Sequence, residues 1–477
     1  MDERVFVSLG ILKVAACLEQ AGHPVEMVDL SGIQNFEDCM RDHAGQSPCS
    51  TFGITATTPQ MPAVMKIATA IRATRPDVRI ILGGPHVTLV NAALKRERKI
   101  GAQGRATRAF AKLLEAFDVL VCGDGEDAIF AAIVPEPEKV IDADDPKSAL
   151  WMTNDRLNEL PFPARHLVDM SSYHYTIEGE RSLSLIAQLG CPFCCTFCGG
   201  RESPMLRRIR TRTTENIIKE VLHLHQDYGA RGFMFYDDEL NVNPSMIELM
   251  HGLRFAQDLA QGEFKMRGFI KSQLFTDEQA DAMYGAGFRW ILVGFESGSE
   301  RILTNIKKKA NRAENTRCME IAKRHGLKVK ALMSVGHAGE SEETIEETRQ
   351  WLLEVKPDDF DATVISVYAG TPYHDFARET KPNIWTYTSE NGDRLHSFEM
   401  DYSEDAGYYK GKIGEYQSYV FTDFLSPERL VELRDNLETS VREKLGIPFN
   451  QSAASIQYEH SMGQPGNLPR HILRRSA

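Results

Sequence analysis

Four of the nine cysteines fall in one short run, Cys191, Cys194, Cys195 and Cys198, within LGCPFCCTFCGG. Thiolates are soft donors, suited to iron–sulfur clusters and to zinc. Two groupings are open. Cys191, Cys195 and Cys198 form CxxxCxxC, three ligands for a four-iron cluster, which leaves one iron able to bind a substrate. Pairing Cys191 with Cys194 and Cys195 with Cys198 gives two abutting CxxC units, a donor set for a closed structural zinc. Zinc ribbons separate their pairs by a longer loop, because adjacent ligands such as Cys194 and Cys195 point apart. The spacing therefore favours iron–sulfur, and the bland alternative is four buried thiols without a ligand. Cys17, Cys39, Cys49, Cys122 and Cys318 are scattered and read as spectators. One tight cluster in a long chain is unlike a secreted disulfide scaffold.

The elements that must position this cluster alternate strand and helix. In residues 1–135, a helix over Leu9 to Ala21 precedes a strand at Val25–Leu30. Further strands are expected at Phe52–Thr55, Val78–Leu82 and Val119–Cys122, with helices at Met61–Thr74 and Ala109–Phe117. Alternation of this kind implies a parallel sheet covered on both faces, with ligands beyond the carboxyl ends of its strands. Residues 136–182 are proline-rich and read as a linker. Residues 183–375 repeat the pattern, with strands at Leu183–Ala187, Gly232–Tyr236, Phe264–Ile270, Trp290–Phe295, Val329–Ser334 and Ala362–Tyr368. Helices are expected between them at Thr214–Tyr228 and Asp277–Tyr284. Six such units suggest a full or partial parallel barrel, whose chemistry lies at the carboxyl ends of the strands. The cysteine run follows the first of these strands. Residues 376–477 break the rhythm, with an acidic, aromatic stretch (Asp401–Asp405, Tyr408, Tyr409, Tyr416, Tyr419), one helix from Ser426 to Lys444 and a polar tail from Asn450.

The order of these motifs resembles the radical S-adenosylmethionine (SAM) superfamily: CxxxCxxC after the first barrel strand, with aromatic Phe197 before the last cysteine. LGILKVAACLEQAGHPVEMVDLSG, GGPHVT and GDGE resemble the cobalamin-binding domain that precedes the barrel in one large branch. LNELPFPARHLVDM, FMFYDDELNVN, GFESGSERILTNIKK and YAGTPYHDFA fit that branch too, so the match covers roughly residues 8–375 in the expected order. The resemblance implies an α/β chain: an N-terminal Rossmann-like sheet of cobalamin-binding type, a partial (β/α)6 barrel and an α-rich C-terminal extension.

It also implies Cys191, Cys195 and Cys198 as ligands of a [4Fe-4S] cluster whose open iron chelates SAM, with Cys194 a spectator. An electron from an external donor of flavodoxin or ferredoxin type would cleave SAM to a 5′-deoxyadenosyl radical. Phe197, Asp238, Glu239, Glu296, Ser297, Ser334 and Tyr368 are the SAM-site candidates. Asp238 and Glu239 end the second strand, where a carboxylate can accept from the SAM ammonium. Glu296 and Ser297 end the fourth, flanked by Gly294 and Gly298, where the family binds ribose. Ser334 ends the fifth, and Tyr368 is a candidate to pack on adenine. Asp237 and His337 are catalytic or substrate-contact candidates. The family more often has proline where this chain has His337, which would place an imidazole at the site. Plain helix capping, loop exposure and filling of the barrel mouth are the ordinary readings of the same residues.

Whether cobalamin binds is left open by the sequence. Thr57, Thr58, Gly84, His86, Gly123, Gly125 and Glu126 sit at strand ends where a corrin and its tail would lie, yet Gly and Thr are common in such turns. DxHxxG is absent. Only Arg4–Val7 precede Ser8, so either the first strand is a stub or the natural start lies upstream.

The reading that follows is a radical SAM enzyme that abstracts hydrogen from a small polar metabolite, such as an aminosugar or natural-product intermediate. The outcome would be dehydration, rearrangement or C-methylation. A cobalamin-dependent C-methyltransferase is the alternative. A cobalamin-fold regulatory protein with a structural zinc is an alternative of another class. With 55 Lys and Arg against 67 Asp and Glu, the net charge is −12, which disfavours nucleic acid, tRNA included. That charge, and the acidic stretch as a lid over the barrel mouth, would suit a cationic substrate. No apolar run is long enough for a membrane helix and no signal peptide is evident, so a cytoplasmic protein is expected.

Overall fold

A computed structural model describes residues 7–31, 33, 35–405 and 417–448. Residues 4–6 of the expected first strand lie outside that set, as do Tyr408, Tyr409, Tyr416 and the tail from Asn450.

The N-terminal region carries a four-stranded parallel sheet in sequence order: β1 (Thr51–Thr55), β2 (Arg79–Gly83), β3 (Val119–Cys122) and β4 (Val140–Asp142). Ile80, Leu82, Leu120 and Cys122 face one core and Ile81, Val119 and Val121 another, because strand side chains alternate between faces that helices cover. Val25–Leu30, expected as a strand, is not one. Its apolar residues still alternate: Val25 and Met27 pack beside Ala15, Ala16 and Ala164, while Val28 and Leu30 pack on Ile33 and Cys39. Alternation by itself does not make a strand, and among the described residues no backbone ladder includes this segment. Conversely, β4 arises within the stretch read as a linker.

The second sheet has seven strands. β5 (Thr176–Ile177) pairs antiparallel with β6 (Glu180–Leu185), and β6 begins the parallel series. β7 (Gln188–Leu189) and β8 (Arg210–Thr211) form a short antiparallel bridge that brackets the cysteine loop. β9 (Gly232–Phe235), β10 (Lys265–Ile270), β11 (Phe288–Glu296), β12 (Lys328–Val335) and β13 (Asp359–Val364) complete the order β13-β12-β11-β10-β9-β6-β5. Phe233, Met266, Ile291, Val329 and Phe360 point outward into the largest core, under helices Thr214–Tyr228 and Met246–Ala260 among others. This is the partial barrel expected.

The barrel is open at β13, and an open sheet edge needs covering. Helix Pro427–Leu445 supplies the cover. Glu438 accepts from the Ala362 amide at 3.0 Å, and Arg434 Nε donates to the Ala362 carbonyl at 2.9 Å. The C-terminal region is not α-rich alone, however. β14 (Arg378–Lys381), β15 (Ile384–Thr388), β16 (Arg394–Phe398) and β17 (Val420–Thr422) form an antiparallel sheet. Tyr402, within the acidic stretch, donates to the Val367 carbonyl just past β13. Glu399 and Asp401 pair with Arg108 and Lys112 of helix Arg105–Ala116, and Arg105 stacks on Trp385 at 4.1 Å. Glu399 and Asp401, two of the carboxylates in this region, are thereby neutralised by the N-terminal region. Among the described residues no helix is long and apolar enough to cross a membrane.

Candidate active site

The cysteine loop is shaped by the strand ends around it. Gly190 has φ +86°, and a Cβ there would meet the Arg208 carbonyl oxygen at 2.1 Å, so only glycine makes the turn into Cys191. Asp238 accepts from the Gly190 amide at 2.9 Å. Asp237, fully buried, accepts from the amides of Ala187 and Gln188, at 3.1 Å from the first. Burial pushes its carboxyl up to about 7. Asp237 thus holds the segment leading to the loop, both of its oxygens accepting from backbone amides. Downstream, Thr196 donates its amide to Ile306, and Phe197 packs on Ile302, Leu303 and Ile306 and meets the His337 ring edge-on at 5.3 Å. Phe197 wedges the loop into the barrel wall.

Two guanidiniums attend the thiols. Arg207 donates to Cys194 Sγ at 3.0 Å, and Arg201 to Cys198 Sγ at 3.7 Å. Burial pushes Cys198 up to about 12 and raises Cys191; a metal would take such thiols as thiolates. Among the described residues no three His, Cys, Asp or Glu side chains converge as a single ion requires, with ligands about 2.3 Å from it. The soft, all-thiol donor set is one that an iron–sulfur cluster takes.

Across the mouth, Glu296 sits at a bulge of β11 with φ +67°, a strained conformation for a residue with a Cβ. Its Oε1 pairs with Lys308 at 3.1 Å and its Oε2 accepts from Ser334 Oγ at 2.7 Å. Ser334 Oγ meets His337 Nε2 at 2.8 Å, and His337 Nδ1 meets the Tyr373 hydroxyl at 3.3 Å. Since Ser334 donates to the carboxylate, Nε2 carries the imidazole proton and Nδ1 accepts from Tyr373. Burial drops His337 to about 4, so it is neutral near pH 7. Both its nitrogens are engaged within the protein, one by Ser334 and one by Tyr373. Burial pulls Lys308 down, but Glu296 foremost among nearby anions outweighs it and leaves the ammonium raised. Lys271 donates to the Lys308 carbonyl at 3.1 Å and lies over the Phe193 ring at 4.2 Å. Burial raises Glu239, and both lysines face it.

Ser297 is not part of this group: its hydroxyl bonds Thr348 at 3.0 Å and accepts from the Ser299 amide. Tyr368 lies past β13 and packs its ring 5.7 Å from Tyr402. Sequence reading missed Lys271, Lys308 and Tyr373. Lys308 lies inside GFESGSERILTNIKK and Tyr373 inside YAGTPYHDFA, but only folding brings them to one network.

The cobalamin candidates divide. A cavity of about 320 Å³ opens at the carboxyl ends of β1–β3. Gly84, Gly123, Gly125 and Glu126 line it, with Gly10, Lys13, Val14, Gly53 and Ile81. Its other wall is Ile186–Leu189, the segment that runs into Cys191. A Cβ at Gly10 or Gly53 would meet nothing within 4 Å, so these glycines leave room for a ligand. Thr57, Thr58 and His86 do not line it: Thr57 caps a turn with Gln60, and Thr58 Oγ1 bonds His86 Nδ1 at 3.0 Å. Burial lowers His86 to about 4. The volume and apolar lining suit part of a corrinoid, with the remainder in the open crevice.

These features belong to a defined class. Residues 185–352 match the radical SAM superfamily and residues 3–114 match the B12 binding domain. The chain is a radical SAM enzyme with an N-terminal B12-binding domain, a family that implies a [4Fe-4S] cluster and SAM. An uncharacterized methyltransferase of Pyrococcus horikoshii is 27% identical over 376 residues, covering 77% of this chain and 78% of that one. The anaerobic magnesium-protoporphyrin IX monomethyl ester cyclase of Rubrivivax gelatinosus is 22% identical, covering 78% and 66%. Among solved structures, the radical SAM methyltransferase TsrM of Kitasatospora setae, with cobalamin and a [4Fe-4S] cluster bound, superposes with a TM-score of 0.62 at 14% identity. That match covers 97% of this chain and 89% of that one, and it shows the shared fold.

Proposed function

We propose that this chain is a cobalamin-dependent radical SAM methyltransferase acting on a small molecule. The observation that carries the reading is the cavity shared between the turns of β1–β3 and the segment leading into the cysteine loop, which would put a corrinoid beside the iron–sulfur site. The names borne by the Pyrococcus and Kitasatospora proteins support methyl transfer over dehydration or rearrangement.

In this reading Cys191, Cys195 and Cys198 hold the cluster, fed by a flavodoxin- or ferredoxin-type donor. Glu239, Glu296 and Ser334 face SAM, and Lys308 and His337 keep Glu296 aimed. Gly84, Gly123, Gly125 and Glu126 border the corrinoid. When bound, the cluster and SAM supply a deoxyadenosyl radical and cobalamin supplies a transferable methyl group. The chain's own residues orient these groups at strand ends and exclude water from the mouth.

Anaerobic reconstitution with and without cobalamin tests the proposal. Bound iron, sulfide and corrin are measured, then S-adenosylhomocysteine and 5′-deoxyadenosine. Both products together with bound corrin are expected. Deoxyadenosine alone, without bound corrin, would return the reading to hydrogen abstraction without methyl transfer.

A further inference from the structure

Lys13 and Gln188 face one another across the cavity with hydrogen-bonding capacity that the protein does not use. Lys13 lines it from helix Leu9–Gln20, is only 9% exposed, and makes no hydrogen bond or ion pair among the described residues. Gln188 lines it from the opposite wall and is fully buried. Its Nε2 donates to the Glu239 carbonyl at 2.9 Å, but its Oε1 has no partner. Buried polar groups are normally satisfied. Of the neighbouring charges, Arg212 and Arg165 pair with Glu220 and Arg210 with Asp124, while the buried Glu126, which lines the same cavity, acts on Lys13 through space without a bonded contact. An ammonium that lines the cavity without a hydrogen bond can take an anion, and an unpaired buried amide oxygen calls for an N–H.

We propose that Lys13 and Gln188 are the contacts by which this cavity reads its corrinoid: Lys13 Nζ takes the phosphodiester of the nucleotide arm, and Gln188 Oε1 takes a side-chain amide N–H of the corrin. The inference rests on the cobalamin reading above. Cobalamin carries one anionic group, its phosphodiester, and a ring of propionamide and acetamide arms. The apolar depth beyond Lys13, formed by Val14, Ile81, Val121 and Ile129, is where an aromatic base would go. Because Gln188 also holds the Glu239 carbonyl, and its own amide is held by Asp237, the corrinoid would bear on the same turn that shapes the cysteine loop.

Cobinamide, which lacks the phosphodiester-linked ribose and base, is the discriminating probe. Equilibrium binding of hydroxocobalamin and of cobinamide is followed by corrin absorbance in the full-length protein, with no turnover required. The wild-type chain should prefer cobalamin. Lys13→Met should weaken cobalamin binding by about tenfold or more, the scale of one charged hydrogen bond, while changing cobinamide binding less than about twofold. Lys13→Arg should restore most of the difference. Gln188→Met should weaken both ligands alike, with iron content per chain unchanged. If Lys13→Met weakens both ligands equally, or wild type binds both equally, Lys13 does not read the phosphodiester and the inference is overturned. If wild type binds neither, the cobalamin reading itself fails. Loss of iron in Gln188→Met would assign Gln188 to the loop alone and overturn its ligand role.

Discussion

The barrel mouth and the crevice beside it are built on opposite plans. At the mouth, Lys308, Glu296, Ser334, His337 and Tyr373 form one continuous hydrogen-bonded chain, each member answered by the next. In the crevice, Gln188 Oε1 is buried without a partner, Lys13 makes no hydrogen bond or ion pair among the described residues, and burial lifts Glu126 to about 7. A network complete within the protein is preorganised: its geometry exists before any ligand arrives. A set of buried, unpaired groups is a mould whose counterpart must be brought in. The strain at Glu296 belongs with the first plan, since a left-handed residue persists only where its surroundings over-determine it.

The largest test separates the two regions outright. Cys191→Ala should abolish iron and sulfide loading, while corrin binding stays near wild type; Cys194→Ala should keep its iron. Equal iron loss in both variants would mean that the ligand set is not the CxxxCxxC triplet. Metal analysis and corrin absorbance on the same samples decide it.

A smaller effect comes from Glu340, buried behind the mouth, where it accepts from the Gly336 amide at 3.1 Å and from Thr344. Burial raises its carboxyl from the ordinary 4.5 to about 7. The folded state then holds a proton that the unfolded chain releases, so stability falls as pH rises from about 4.5 through about 7. Glu340→Gln should remove that dependence and gain on the order of 3 kcal/mol over wild type near pH 8. Denaturant unfolding at pH 5 and pH 8 measures it, and parallel curves for the two proteins would show the mouth less dry than its burial suggests.

The smallest effect lies where both regions are tied together. The Arg108–Glu399 and Lys112–Asp401 pairs are largely exposed on the basic side, so Lys112→Ala should cost less than about 1 kcal/mol and the difference should fade in high salt. A larger or salt-resistant loss would make this contact part of the core coupling between the regions.

Much of this molecule was written in its local pattern. Helices Met61–Thr74 and Thr214–Tyr228 and strand Val119–Cys122 fall where periodicity placed them, because a period of 3.6 or 2 is a property of neighbouring residues. The cysteine triplet was legible for the same reason: its spacing is local. Val25–Leu30 shows the limit, for its alternation is real but pairing depends on a neighbour that sequence does not supply. The acidic stretch shows another, since a charge is a lure only if nothing nearby neutralises it, and Arg108 and Lys112 lie almost three hundred residues away in the chain. The sequence determined on its own the strand–helix rhythm, the soft-ligand loop and the family they signal. Only the tertiary structure decided that Asp237 bonds the backbone of Ala187 and Gln188, that Ser297 bonds Thr348, that His337 links Ser334 to Tyr373, and that Lys13 and Gln188 face one cavity. The reason is physical: propensity and spacing act over a few bonds, whereas burial and hydrogen-bond satisfaction are set by whatever the fold brings alongside.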